Sequence, residues 1–206
     1  MASERFENLK PKKKKIILDS IANCLSMKSI EELSVIDISK EAEISRGTFY
    51  TYFSDKDDAI TTFIKDKENE FIKALKDIVL KNKGDFFSSI IETYDVIKNN
   101  YNEYHKKISK NILNVVNSSV LINYIHDTMA ELDELNKWIL ENTDIGKKYL
   151  TTIEDVRNLM ELINFTISTA ILRLSMNYEI TAIDYDVKLK INIIKNGMKS
   201  KLSKED

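Results

Sequence analysis

SRGTFYTYF (45–53), directly behind LSVIDISKEAEI (33–44), is the stretch on which the fold turns. Ser34 opens a first short helix: its hydroxyl can accept from the N–H of Asp37 while Asp37 reaches back, a capping box. Val35, Ile38 and Ala42 then share one helical face. After a tight gap Ser45 caps a second helix, polar at its start and aromatic at its end. Two short helices joined by a turn of a few residues read as a helix-turn-helix, whose second helix enters the major groove of double-stranded DNA. Ser45, Gly47 and Thr48 are small enough to let a backbone come close, and the hydroxyls of Tyr50 and Tyr52 can reach phosphates.

Working outwards, Pro11 suits the first turn of a helix, where its missing N–H has no partner to lose. Ile17, Leu18, Ile21, Ala22 and Leu25 follow at helical spacing, so this helix runs to about Met27. On the other side Asp55 and Asp58 form an acidic cap for a fourth helix, which its apolar residues carry to about Asn82. At ~1.5 Å per residue such a helix leaves a small bundle and enters a second domain. Beyond Gly84, helical spacing recurs in 86–98, 101–116, 120–141, 152–178 and 185–201. Four glycines and one proline in 206 residues leave little punctuation for hairpins. The expectation is an all-α protein: an N-terminal three-helix DNA-binding domain over 1–54, then a helical ligand-binding and dimerisation domain over 55–206.

The net charge of −2 hides an uneven distribution. Residues 1–56 carry 10 Lys and Arg against 9 Asp and Glu, with Lys10 and Lys12–Lys15 as the concentrated cationic run. Attraction to DNA must come from that run and one small face. No apolar stretch approaches the ~20 residues that span a bilayer, and no signal-peptide core follows the basic start. The lone Cys24 excludes an intramolecular disulfide and fits a reducing cytosol, so a cytoplasmic protein with no membrane contact is expected.

The strings LDSIANCL, SVIDISKEAEIS and RGTFYTYFSDKDDAI together resemble the tetracycline-repressor (TetR) family of bacterial regulators, over about 14–63. Carried onto this chain, the resemblance implies DNA contacts from Ser34, Ser45, Arg46, Gly47, Thr48, Tyr50, Tyr52 and Lys56. Arg46 would fork onto guanine O6 and N7. Lys56 also has a separate argument: a cation at a helix N-terminus opposes the macrodipole unless an anion sits there. The chain departs from the family pattern at Ser29 and Glu43, where glycine is common; Glu43 in the turn implies strain or another geometry.

The resemblance further implies a homodimer on a pseudo-palindromic operator, joined through the last two helices, and a repressor released by a small apolar or amphipathic effector. Tyr94, His105, Tyr124, Trp138 and Phe165 are the candidate pocket residues, although each is equally at home in any helical core. The alternative is a protein of the same fold that answers a protein partner or acts in chromosome organisation, without a small ligand. Phe49 and Phe53, four apart, read as core. Glycine-rich phosphate loops and nucleophile motifs are missing from the sequence, and its two histidines have no identifiable base–orienter arrangement, so no enzyme, cofactor or metal site is expected.

Overall fold

The computed structural model describes residues 2–113 and 132–202, and among these there are helices and no strands. In chain order they are α1 (Glu4–Glu7), α2 (Pro11–Met27), α3 (Val35–Glu41), α4 (Arg46–Tyr52), α5 (Lys56–Lys81), α6 (Phe86–Asn100) and α7 (Glu103–Leu113). There follow α8 (helical over 132–142), α9 (Asp144–Lys148), α10 (Ile153–Ser175) and α11 (Ile180–Leu202). Tyr124 and most of the expected 120–141 helix lie outside the described residues. Two compact units emerge: residues 1–70 with 102–127, and residues 71–101 with 128–206.

The first unit is built around the helix-turn-helix. Ile17, Ile21 and Leu25 of α2 meet Ile38 of α3 and Phe49 of α4 in one core, joined by Ala59, Ile60 and Phe63 from the start of α5. Ser34 caps α3 through the expected capping box with Asp37, and Ser45 accepts from the N–H of Thr48 to cap α4. At α5 the expected acidic cap is shifted by one residue. Asp55 accepts from the N–H of Asp58, while the Asp58 carboxylate receives the N–H of Ser54.

One element of this unit, α1, and the packing of another, α7, were not visible in the hydrophobic spacing. Ser3 caps the short α1 and delivers Phe6, fully buried, against Tyr52 and Phe53 with ring centroids 6.0 and 4.8 Å apart. And α7 packs on α2: Ile108 joins the core, the Asn111 amide donates to the Leu25 carbonyl at 2.7 Å, and the Tyr104 hydroxyl donates to Asn23 at 2.8 Å.

The second unit takes the far half of α5 together with α6 and α8–α11. Leu75, Val79, Phe86, Ile90, Ile139, Val156, Ile163 and Ile183 form its centre. The α5–α6 corner needs Gly84, whose φ is +83° and whose missing Cβ would stand 2.8 Å from the Asn142 carbonyl oxygen. Close approach also explains α9, a helix in a stretch that reads as an interruption. Gly146 lies so near the Leu140 carbonyl that no side chain fits. The start of α11 is tied to α6 by Asp184, which receives the Tyr94 hydroxyl at 2.9 Å and the Lys98 ammonium at 2.7 Å.

Replacing Phe6 tests whether α1 belongs to the folded core. Phe6→Ala should lower stability by about 3–5 kcal/mol, the usual cost of deleting a buried aromatic ring. Urea unfolding of the full chain measures it, and a loss below about 1 kcal/mol would mean that α1 is merely resting on the surface.

Candidate nucleic-acid interface

The turn between α3 and α4 determines where the second helix points. Glu43 has φ +52°, a left-handed conformation that costs a non-glycine residue about 1–2 kcal/mol. So the turn keeps the geometry that suits glycine, and Glu43 is strained in it. The chain then re-enters helix at Arg46. Ser45 Oγ also lies 2.8 Å from the Thr48 hydroxyl, which draws the small polar residues together at the helix start.

Along α4 the side chains divide sharply. Phe49 is buried, while Ser45, Arg46, Gly47 and Tyr50 are exposed and Thr48 is half-exposed. The Arg46 guanidinium sits 5.9 Å from the Tyr50 ring centre, a cation–π contact that extends it along the helix surface. No carboxylate among the described residues pairs with Arg46. Gly47 is in open space: a Cβ there would meet only Ser45 Oγ, at an ordinary 3.7 Å. Glycine inside a helix costs about 0.5–1 kcal/mol against alanine, and nothing in the folded unit calls for it.

Three of the expected contact residues are placed differently. Tyr52 is 7 % exposed, its ring held between Phe6 and Phe53 with the Lys13 ammonium 5.9 Å away, so it is a core residue and does not share the surface of Arg46 and Tyr50. Lys56 donates to the Ile30 and Leu33 carbonyls at 2.7 and 3.0 Å. Those oxygens supply the negative partner that the dipole argument assigned to an external phosphate. Ser34 is half-buried and its hydroxyl donates to Asp37 at 2.7 Å. The lysine run is not a loose tail: Lys12–Lys15 lie in the first turns of α2, with Lys14 on Glu7 and Lys15 on Asp19.

The electrostatics behind α3 are local. The Lys28 ammonium, then the Ser34 hydroxyl and N–H, hold the Asp37 carboxyl down at about 2. Cys24 is buried, and burial, with Glu41 and Asp37 adding to it, pushes its thiol up to about 11. A thiol so rarely ionised is packing material.

The residues expected to line an effector pocket do not converge. Tyr94 is fully buried and its phenol is raised, first by burial and then by Asp184, so it serves the α6–α11 tie. Phe165 is 73 % exposed on α10, Trp138 lies at the core margin with Lys76 over its ring, and His105 is exposed on α7 beside Asn102. The second unit holds a cavity of about 90 Å³ between α8 and α10, lined among others by Asn136, Arg157, Met160 and Asn164. Tyr94, His105, Trp138 and Phe165 do not line it. Among the described residues no cluster could hold a metal ion, and no helix is long and apolar enough to cross a membrane.

Residues 17–59 match the family model described as bacterial regulatory proteins, tetR family, and the match spans α2, the helix-turn-helix and the start of α5. Over that segment the chain is similar to the tetR family of bacterial regulatory proteins. Solved structures extend the likeness over the rest of the fold. The fatty acid degradation regulator FadR of Bacillus halodurans is 18 % identical over 89 % of this chain and 97 % of its own, with a TM-score of 0.64. FadR of Bacillus subtilis, solved with stearoyl-CoA, is 20 % identical over 86 % of this chain and 97 % of its own, also at 0.64. A TetR-family transcriptional regulator of Syntrophomonas wolfei is 19 % identical over 89 % and 93 %, at 0.63. At these identities the likeness is one of fold. No curated protein sequence matches this chain.

The depressed Asp37 carboxyl fixes the sign of a pH effect. Its charged form is favoured by folding, so its contribution is complete above the unfolded value of about 3.9 and is lost as pH falls towards 2. The stability gap between wild type and Asp37→Asn, read by urea unfolding, should be constant above about pH 5 and narrow below about pH 4. A gap unchanged down to pH 3 would exclude this role.

Proposed function

We propose that this TetR-family regulator binds a pseudo-palindromic operator as a two-fold dimer, reads it with α4, and is released by a small apolar or amphipathic effector. The observation that carries the reading is Gly47: an exposed glycine in the first turn of α4 with room for a Cβ. Its cost to the helix is explained by an external backbone passing too close for a methyl group. Beside it the unpaired Arg46 guanidinium forks onto guanine O6 and N7. Ser45, Thr48 and Tyr50 bond phosphates or base edges around it, while Ser34, whose hydroxyl and N–H both go to Asp37, holds the helix-turn-helix in place, and Lys56 keeps a third N–H for a phosphate.

Support for the dimer comes from the second unit. On α10, Leu162, Phe165, Leu172 and Met176 are exposed along one stripe, opposite the buried Val156, Ile163, Ile167 and Leu174. On α11, Tyr185, Leu189 and Ile193 form a second exposed stripe at four-residue spacing. Continuous apolar faces on adjoining helices suit a self-complementary interface across a two-fold axis. That makes 55–206 the dimerisation and effector domain and 1–54, with its later additions, the DNA-binding domain. For the effector, support comes from stearoyl-CoA in the Bacillus subtilis FadR structure, a long-chain amphipath bound by a chain of this fold.

Two substitutions on α4 should separate its roles. Arg46→Ala should weaken binding to the selected duplex by about 1–3 kcal/mol and relax base preference, in a competition assay with mutated duplexes. Equal weakening on every sequence would make Arg46 a phosphate contact. Gly47→Ala should raise stability by about 0.5–1 kcal/mol yet reduce DNA affinity; unchanged affinity would remove the argument for close approach. Phe165→Asp should give a monomer in sedimentation equilibrium, and a dimer of wild-type strength would locate the interface elsewhere.

A further inference from the structure

We infer that residues 3–6, which precede the matched segment, are a positioning device for the recognition helix: a strap that fixes the C-terminal end of α4 and thereby the register of Arg46 on DNA. The inference rests on the reading of α4 as the DNA-reading helix.

A helix of seven residues leaves its last carbonyls without intrahelical partners and has little stability of its own. In α4 the Phe49 carbonyl is met by the N–H of Phe53. The next ones in need are met from the far end of the chain. Ser3 donates its N–H to the Tyr52 carbonyl at 2.9 Å and its hydroxyl to the Thr51 carbonyl at 2.7 Å. The same hydroxyl accepts from the N–H of Phe6 at 3.3 Å, so one side chain both starts α1 and finishes α4. Three residues on, Phe6 packs against both Tyr52 and Phe53, and the Lys14 ammonium covers its ring at 5.2 Å.

At the opposite end of α4 stand the Ser45 cap, the strained turn at Glu43 and Ile44, whose N–H bonds the Ser39 carbonyl at 3.0 Å. Arg46 sits in the first turn, so a small tilt about the buried Phe49 would carry its guanidinium off the base edges. The strap restrains that tilt by gripping the end opposite to Arg46. Phosphate contacts from flexible lysines tolerate a tilt that a bidentate base contact does not. The strap therefore acts on discrimination between sequences, beyond its share in stability.

The test uses the full chain and a duplex that wild type itself enriches from a random library, with poly(dI-dC) as the non-specific competitor. Ser3→Pro removes both donors while its φ of −70° already suits proline. It should lose about tenfold in affinity for the selected duplex, the loss expected for two hydrogen bonds of modest net worth, with affinity for poly(dI-dC) unchanged. Ser3→Thr, which keeps both donors, should retain wild-type discrimination. A folded Ser3→Pro that discriminates as wild type does would overturn the strap. So would equal losses on both DNAs, which are the mark of a merely structural role. Should Ser3→Pro fail to fold, Ser3→Ala removes the hydroxyl bonds alone and should lose about threefold on the selected duplex only; no loss would overturn the proposal. Enrichment of no duplex by wild type, or an Arg46→Ala variant that binds the selected duplex as wild type does, would instead defeat the reading of α4 itself.

Discussion

Helix α4 cannot stand by itself, and much of the first unit answers that constraint. Seven residues make barely two turns, too few for backbone hydrogen bonding to offset the entropy of ordering them. Stability comes from the ring of Phe49, buried against α2 and α3, and from partners brought to both helix ends. Ser45 closes the N-terminus; Ser3 closes the C-terminus. What remains exposed between those fixed ends is a short polar face with Arg46, Gly47 and Tyr50 on it. A helix anchored by one buried ring and two caps presents its outer side chains in a defined register, which a base-reading contact requires.

The same economy is visible one layer back. Asn23 receives the Tyr104 hydroxyl from α7 and donates its amide to Glu41 at the end of α3, 3.0 Å away. Thus α7 is tied through α2 to the helix that braces the recognition helix. In the second unit the corresponding tie is ionic: Asp184 gathers Tyr94 and Lys98, and Lys98 also meets Asp95. Helix α5 contributes side chains to both cores, Ala59 and Ile60 to one, Leu75 and Val79 to the other. Its continuity makes it the covalent link through which a change in the second unit would be felt in the first.

Some of the candidate site was legible in the chain alone. Ser34, Asp37 and Ser45 are capping residues whose effect is confined to the next three residues, so their spacing carried the two helix starts without any knowledge of packing. Glu43 was readable as a turn position with either strain or another geometry, and its positive φ decides for strain. Lys56 and Tyr52 were not readable. Whether a lysine meets phosphate or the carbonyls of Ile30 and Leu33 depends on residues more than twenty positions away. Tyr52 is buried because Phe6 arrives over it from the other end of the chain.

Sequence by itself determined the helical class, the helix-turn-helix, its caps and the resemblance over the first helices, because each rests on short-range periodicity or on a contiguous string of residues. Only tertiary structure decided that α1 closes the recognition helix, that α7 joins the first core, and that Tyr94 and Phe165 lie in unlike surroundings, one buried and one bare. The physical reason is range. A cap or an amphipathic stripe is an interaction between residues three or four apart, whereas burial is the sum of what every distant segment brings to one place.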